Sequence, residues 1–166
     1  MNTNILKIVA TFFVVALVAI FFLQTSVRDK NTNEFSEPDK LESVSIVGQK
    51  AIVYKSPNCG CCAVYASYLK KEGLNVEVVN TNDMQSVKEQ NNVPQEFASC
   101  HTTIIGGYVV EGHIPVEAIA KLLLEKPSIL GIAMPGMPIG SPGMPGKKEF
   151  PFEIYKLGED GLFMTI

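Results

Sequence analysis

The sequence predicts the α/β fold class, with a mixed β-sheet flanked by helices, and three observations support this. From about residue 48 onward, short apolar runs typical of buried strands alternate with segments of helical periodicity. A Gly-Gly pair joins two of the later runs, which indicates a β-hairpin. The chain has 166 residues, which suits one domain of ordinary size plus extra segments.

The N-terminal segment, residues 1–27, is predicted to be a transmembrane anchor. Its apolar run ILKIVATFFVVALVAIFFL (5–23) would span roughly 28 Å as a helix, close to the hydrocarbon core of a bilayer. A cleaved signal peptide is the alternative, although the run does not end in the small residues of a cleavage site. Both interpretations place the rest of the chain outside the cytoplasm.

Residues 28–47 are polar and mixed in charge, so we expect a tether between the membrane and the folded domain, residues 48–166. Helix signals within this domain are clear: Asn58 can cap the first helix, Gly73 ends it, and Pro115 suits the first turn of the third. The strands are apolar or β-branched runs bounded by turn residues. The predicted elements are a strand at 51–54, a helix from Cys59 to Glu72, a strand at 75–80, a helix from Asn82 or Asp83 to about Asn91, strands at 102–105 and 108–111, and a helix from Pro115 to about Glu125.

The C-terminal part begins with a Met/Pro/Gly-rich loop, residues 131–146. More than half of this segment is Gly or Pro, so neither a helix nor an inner strand is expected there. Its methionines, Met134, Met137 and Met144, are soft thioether donors, but packing of the loop onto the domain is the favoured explanation for them. Residues 152–166 predict two short strands around a Gly-Glu-Asp-Gly turn, a C-terminal β-hairpin that extends the sheet.

The order of the first seven elements is that of a thioredoxin-like domain, and Cys59 follows the first strand, where such domains place a redox cysteine. In that fold the third strand runs antiparallel to the first and the fourth runs parallel to it. The end of the first strand, the start of the third and the end of the fourth therefore share one edge. All four cysteines and both histidines are expected near this edge: Cys59, Cys61, Cys62, Cys100, His101 and His113.

The CGCC motif at 59–62 contains the candidate catalytic pair, Cys59 and Cys62. A thiolate at a helix N-terminus is stabilised by the helix dipole, so Cys59 should be the most nucleophilic sulfur. Cys62 lies three residues on, on the same face, so a disulfide between the two is geometrically reasonable. Cys61 lies roughly 100° away from Cys62 around the helix and has no function in a two-sulfur site. It is either a small buried apolar residue or an additional ligand.

A soft-metal site would explain the additional cysteine, because thiolates select copper(I), zinc or iron–sulfur clusters. Zinc is the less expected ion, since structural zinc sites usually draw paired ligands from two knuckles. Each histidine is equally explained as a ligand or as a structural hydrogen-bonding group. Nucleic acid is not an expected partner, because the net charge is -3 and no basic run is interleaved with aromatic residues. The candidate metal ligands are Cys59, Cys61, Cys62, Cys100, His101 and His113.

Four motifs together resemble the CopG-type family of thioredoxin-like copper-resistance proteins: CGCC at 59–62, SCHT at 99–102, GGYVVEGHIP at 106–115 and GMPIGSPGMPG at 136–146. The resemblance covers about residues 50–166. It implies an extracytoplasmic protein that cycles copper between copper(I) and copper(II). It also implies that Cys59, Cys61 and Cys62 carry this chemistry, with Cys100 as the fourth thiol.

From the motifs and the resemblance together we expect a copper-binding redox protein, with copper ions as its ligand. A copper transporter or another periplasmic copper protein is the expected partner, and the membrane is a partner through the N-terminal helix. Enzymatic turnover as a copper oxidoreductase is a hypothesis that the resemblance does not establish. Two alternatives stay open: a thiol–disulfide oxidoreductase acting on proteins, and a non-catalytic copper chaperone.

Overall fold

The computed structural model describes residues 46–166, in which a seven-stranded mixed sheet packs against helices. The predicted α/β class is confirmed. The strands are β1 Lys50–Lys55, β2 Asn75–Asn80, β3 His101–Ile105, β4 Tyr108–Glu111, β5 Gly131–Ala133, β6 Glu153–Leu157 and β7 Leu162–Thr165. The helices are α1 Gly60–Lys71, α2 Met84–Gln90 and α3 Val116–Glu125, with a single 3-10 turn at Gln95–Phe97.

The predicted anchor, residues 1–27, and nearly all of the predicted tether lie outside the described residues. Within 46–166, none of the helices combines the length and the apolar character that crossing a membrane requires. Ile46, at the end of the predicted tether, is buried in the hydrophobic core.

The strand order across the sheet is β2-β1-β3-β4-β5-β6-β7. β1 pairs with β2 in parallel and with β3 antiparallel, and β3 pairs antiparallel with β4. β4 therefore runs parallel to β1, as the sequence predicted. The register places Lys55, the last residue of β1, opposite His101, the first residue of β3. The ends of β1 and β4 and the start of β3 thus meet at one edge of the sheet.

The first helix begins differently from the prediction. Asn58 is not its cap and Cys59 is not its first residue; instead Cys59 is the N-cap, and its sulfur accepts a hydrogen bond from the Cys62 amide at 3.3 Å. Cys59 has an extended backbone, which directs its side chain back over the first turn. The second helix is capped by Asp83, one of the two predicted residues, whose carboxylate accepts the Ser86 amide hydrogen bond at 3.0 Å.

The prediction that 131–146 forms no inner strand is wrong. Gly131–Ala133 forms β5, which is fully buried and pairs in parallel with β4 and antiparallel with β6. The first proline of the segment is Pro135, so the amides of β5 are free to pair. Gly131 is required at this position, because a Cβ there would collide with the Val109 carbonyl. The predicted C-terminal hairpin is confirmed, with β6 and β7 antiparallel at the end of the sheet.

Both faces of the sheet are covered at its central strands. Alternate residues of each strand point to opposite sides. On one face Val110 of β4 belongs to the main core, together with buried side chains of α1 and α3 such as Leu69 and Leu122. On the other face the neighbouring Val109 packs in a smaller cluster that includes Phe97 of the 3-10 turn. The edge where β1, β3 and β4 meet is thereby supported by packed elements on both sides.

Candidate metal centre

The helix side of the centre consists of Cys59, Cys61 and Cys62, at the start of α1. Cys59 and Cys62 are joined by a disulfide, with their Cα atoms 5.4 Å apart. Cys62 is fully buried, whereas Cys59 and Cys61 are partly exposed. The Cys61 sulfur lies 3.5 Å from the Cys59 sulfur. Cys61 is therefore not an isolated thiol on another face of the helix but a direct neighbour of the disulfide.

The strand side consists of Cys100, His101 and His113. Cys100 precedes β3, His101 begins it, and His113 follows β4 by two residues. The Cys100 sulfur lies 3.4 Å from His101 Nδ1 and 3.3 Å from His113 Nε2. Both imidazoles are fully buried. One sulfur and two ring nitrogens thus face each other at the predicted sheet edge.

The tautomer of His113 follows from its second contact. His113 Nδ1 lies 2.7 Å from the Pro142 carbonyl oxygen, which can only accept a hydrogen bond. Nδ1 therefore carries the proton and donates it, which leaves the lone pair of the neutral ring on Nε2, facing the Cys100 sulfur. A ring N–H held by a carbonyl in this way is the usual arrangement behind a metal-binding histidine.

The structure brings all six predicted site residues together. The four cysteine sulfurs lie within 4.8 Å of one another, and so do the Cys100 sulfur and one ligand nitrogen each of His101 and His113. Cys100 belongs to both groups and joins the two sides. Thiolates and imidazoles at this spacing form a donor set for a soft metal ion. Of the loop methionines, Met134 is buried in the core, whereas Met137 is half exposed.

Burial keeps the metal-free site in its neutral form. It raises the pKa of the Cys100 thiol to about 11, with the neighbouring Cys61 as a second cause. It lowers the pKa of His101 to about 3, assisted by His113 and Lys88, and it lowers the pKa of His113 as well. Since thiolate is the ligand form of cysteine, metal binding at Cys100 has to release a proton.

A buried polar network that the sequence analysis missed supports the strand side. Lys88 of α2 forms an ion pair with Glu111 of β4, and Lys88 also donates to the Thr102 hydroxyl at 3.1 Å. Thr102 donates to Glu111 at 2.6 Å, and the carboxylate also accepts the Ser99 amide at 2.7 Å. Burial raises the pKa of Glu111, against the lowering effect of the Lys88 ammonium group. The carboxylate thereby fixes the backbone immediately before Cys100.

The only signal for this network in the sequence is Glu111, a carboxylate at the end of the otherwise apolar strand run YVVE. Nothing in the sequence around Lys88 separates it from an ordinary surface lysine of an amphipathic helix. The pairing depends on α2 packing against the sheet at β1 and β3, which is a tertiary feature.

The Gly/Pro-rich loop 134–146 contacts both sides of the centre. The carbonyl of Pro142 accepts the His113 hydrogen bond, and the carbonyl of Gly136 accepts one from the Ser99 hydroxyl at 3.1 Å. Gly143 packs against α1, so that a Cβ there would lie 2.9 Å from the Tyr65 amide and 3.0 Å from the Cys61 carbonyl. From the sequence, only the methionines of this loop were candidates for contact with the site, whereas in the structure its backbone makes the contacts.

Tyr65 of α1 lies against both imidazoles. Its ring centroid is 4.5 Å from that of His101 and 5.4 Å from that of His113. Its hydroxyl donates to the Ile114 carbonyl at 2.9 Å, so the buried polar atom is satisfied. The Nε2 atom of His101, by contrast, has no hydrogen-bond partner among residues 46–166. The ring of His101 is thus held by packing and by its contact with Cys100.

The chain is similar to known proteins in sequence and in structure. The family model described as "Protein of unknown function, DUF411" matches residues 97–144. The solved structure "Copper resistance protein copG- Form 1" matches with a TM-score of 0.66 and 36% sequence identity, over 72% of this chain and 98% of that chain. Its "Form 2" matches with the same TM-score and coverage and 35% identity. No curated protein matches. From this identity over nearly the whole length of those structures, the chain belongs to the CopG-type family of copper-resistance proteins.

Proposed function

We propose that this protein is an extracytoplasmic copper-binding redox protein of copper resistance. In the reduced state, the thiolates of Cys59, Cys61, Cys62 and Cys100 would bind copper(I) together. The observation that carries this proposal is the approach of all four sulfurs to within 4.8 Å of one another. Sulfurs at this spacing can bridge neighbouring metal ions, so a small multinuclear copper(I) cluster is the form that we favour.

Copper suits this donor set better than zinc does. Three of the four thiols come from one helix start, which crowds them more than two separate knuckles would. The relatives with solved structures are named copper resistance proteins, which supports copper as the metal. His101 and His113 are the further candidate ligands, each with one nitrogen near the Cys100 sulfur.

The Cys59–Cys62 disulfide supports a redox function, in addition to the copper binding by the reduced thiols. Oxidation of the Cys59 and Cys62 thiols to the disulfide releases two electrons and two protons. Two copper(II) ions can take up the electrons and become two copper(I) ions. The reverse step returns the dithiol and two copper(II) ions. Cys59 and Cys62 are thus the residues that we assign to the redox step.

His113 has a supporting role in binding at Cys100. Its Nε2 lone pair faces the Cys100 sulfur at 3.3 Å, and its orientation is held by the Pro142 carbonyl. The ring can therefore offer this lone pair to a metal ion bound at Cys100 without moving.

We also propose a thioredoxin-like core from β1 to α3, on the basis of the element order and strand directions. The cellular setting follows from the first 27 residues, whose apolar run would hold the domain at the periplasmic face of the inner membrane. A copper transporter in the same membrane is the partner that we propose. Cleavage of the N-terminal run would leave the same domain free in the periplasm.

Anaerobic titration of the reduced full chain with copper(I), in detergent, tests the binding proposal. Cys61→Ser and Cys100→Ser should each lower the affinity at least tenfold, a change of about 1.4 kcal/mol, and reduce the number of copper ions bound. Ala63→Ser, an exposed substitution on the same helix, is the matched control and should change neither. Copper(I) binding that is unchanged in both cysteine variants would contradict the shared cluster.

Thiol–disulfide exchange with proteins is a second candidate function, because the Cys59–Cys62 disulfide lies at a helix start with Cys59 partly exposed. Cys62→Ser should then trap a protein partner as a mixed disulfide at Cys59. Exchange that proceeds at the same rate in Cys61→Ser would favour this function over the copper-dependent one. A complete lack of exchange with any protein disulfide would exclude it.

A further inference from the structure

Two cysteines of the centre are left free when the Cys59–Cys62 disulfide is closed. Cys61 and Cys100 form no disulfide in the described part of the chain, and each is partly exposed. Their sulfurs lie within 4.8 Å of each other. They come from different elements, the first turn of α1 and the residue before β3, so only the tertiary fold makes them neighbours.

We propose that Cys61 and Cys100 are a second redox couple, and that the centre can close two disulfides, Cys59–Cys62 and Cys61–Cys100. The fully reduced centre could then donate four electrons to an oxidant rather than two. This inference rests on the proposed function for its physiological oxidant, copper(II), and gives the third and fourth cysteines a redox role in addition to their role as ligands.

The distance that has to close is short. A disulfide bond is about 2.05 Å long, so sulfurs at most 4.8 Å apart need to approach by less than ~3 Å. Rotation about a single side-chain torsion moves a sulfur over this range without breaking the helix or the strand. Cys59 also lies near Cys61, but in the oxidised centre its sulfur is already bonded to Cys62. Cys100 is thus the partner that is left for Cys61.

The surroundings of Cys100 agree with a site held ready for this bond. The preceding residue, Ser99, is fixed by the Glu111 carboxylate and by the Gly136 carbonyl. On the other side, Gly143 packs against the Cys61 carbonyl and keeps the helix start in place. Both backbones that would carry the second disulfide are therefore anchored close together before it forms.

The balanced reaction consumes four thiols. Cys59 and Cys62 lose two hydrogens and form one S–S bond, and Cys61 and Cys100 lose two hydrogens and form the other. The four protons pass to solvent, and the four electrons reduce four copper(II) ions to copper(I). With a metal-free oxidant of the azodicarboxamide class, such as diamide, two oxidant molecules take up the same electrons and protons as hydrazine derivatives.

The first experiment contains no copper. The reduced full chain, in detergent with a chelator, is oxidised with diamide, alkylated and mapped by mass spectrometry of its peptides. We expect loss of all four free thiols and a peptide that joins Cys61 to Cys100. Complete closure of Cys59–Cys62 with Cys61 and Cys100 still open to alkylation would overturn the proposal.

Two double variants test each disulfide separately, so that a folding defect in one variant does not decide the result. Cys59→Ser/Cys62→Ser should still close one disulfide, between Cys61 and Cys100. Cys61→Ser/Cys100→Ser is the matched control and should close only Cys59–Cys62. If the first variant is unstable, the wild-type peptide map decides alone.

The second experiment separates this inference from the proposed function. The reduced chain is titrated anaerobically with copper(II), and the copper(I) produced is counted with a colorimetric chelator. Wild type should yield four copper(I) ions per chain, and Cys61→Ser/Cys100→Ser should yield two. A yield of two from wild type would overturn the second couple. If wild type produces no copper(I) but the diamide map shows both disulfides, the proposed reduction of copper(II) is overturned. The second couple would then still stand.

Discussion

The two sides of the centre are built in different ways. The helix side gathers Cys59, Cys61 and Cys62 within four consecutive positions, and two of these residues are partly exposed. The strand side gathers Cys100, His101 and His113 from two strands, with both imidazoles fully buried. The first depends on local helix geometry, and the second depends on hydrogen bonds from residues far away in the chain.

The two sides therefore differ in how firmly their groups are held. The helix side carries the Cys59–Cys62 disulfide, and its Cys59 sulfur is partly exposed. On the strand side, the Lys88–Glu111 ion pair supports the backbone before Cys100, and the Pro142 carbonyl holds the His113 ring. The backbone and the imidazoles of the strand side are thus fixed by distant segments, whereas the helix side depends on its own first turn.

The largest effect is expected from breaking the support of the strand side. Lys88→Met leaves the Glu111 carboxylate buried without its counter-ion, so the free energy of unfolding should fall by about 3–5 kcal/mol. Chemical denaturation of the metal-free protein measures this. Lys121→Met, which removes the exposed Lys121–Glu125 pair, is the control and should cost less than about 1 kcal/mol. Equal effects of the two variants would show that the buried pair does not support the centre.

The next effect concerns the loop that joins the two sides. Gly143→Ala places a methyl group against the Tyr65 amide and the Cys61 carbonyl, and it also disfavours the positive φ of 85°. We expect a loss of about 2–4 kcal/mol in stability, from backbone strain of about 1–2 kcal/mol plus overpacking, and weaker copper(I) binding. Thermal unfolding and copper(I) titration measure the two quantities.

Gly107→Ala, in the turn between β3 and β4, is the matched control for this loop prediction. Its φ is also positive, at 86°, but a Cβ there has no atom within 4 Å. It lies at the end of these strands away from the centre, so it should show only the backbone strain and no change in copper(I) affinity. If Gly143→Ala behaves in the same way as Gly107→Ala, the loop does not hold the two sides together.

The buried imidazole of His101 makes the stability of the metal-free protein depend on pH. The folded pKa of His101 is about 3, below the unfolded value of 6.5, so its contribution to stability is complete above pH 6.5 and is lost as the pH falls toward 3. Between these values the metal-free wild type should lose up to about 1.4 kcal/mol per pH unit more than His101→Phe does. Denaturation curves at several pH values give this difference, and parallel slopes for the two proteins would mean that His101 is not held neutral by burial.

The smallest effect is expected from the exposed loop methionine. Met137→Leu keeps the apolar side chain but removes the thioether, and Met137 is half exposed. Copper(I) stoichiometry and affinity should stay within about twofold of wild type, because the thiols and imidazoles already supply the donor set. A tenfold loss of affinity would place this thioether among the ligands.

The location of the strand-side residues could be predicted from the sequence, but the hydrogen bonds that hold them could not. The order of elements and the Gly-Gly hairpin were enough to place Cys100, His101 and His113 at one edge, because strand directions follow from the order once the fold class is right. The hydrogen bonds that hold these residues were not predictable. Lys88, Glu111 and Pro142 reach the site from three separate segments, and no periodicity links them.

Two local predictions failed because atomic detail overrode a general tendency. A high content of Gly and Pro argued against an inner strand in 131–146, yet Gly131 is used there to let β5 approach β4. Asn58 is a good capping residue by type, but the sulfur of Cys59 takes the cap position. In the first case a close backbone contact decided the outcome, and in the second the hydrogen bond from the Cys62 amide to the Cys59 sulfur did.

The sequence by itself determined the fold class, most element boundaries, and the set of sulfur and imidazole groups that form the centre. These depend on periodicity and on residue type, which are local properties. Only the tertiary structure decided that Cys61 adjoins Cys100, that His113 presents its Nε2 lone pair, and that a buried ion pair fixes the start of β3. Distances between groups from different segments arise from packing of the whole domain, and no local pattern encodes them.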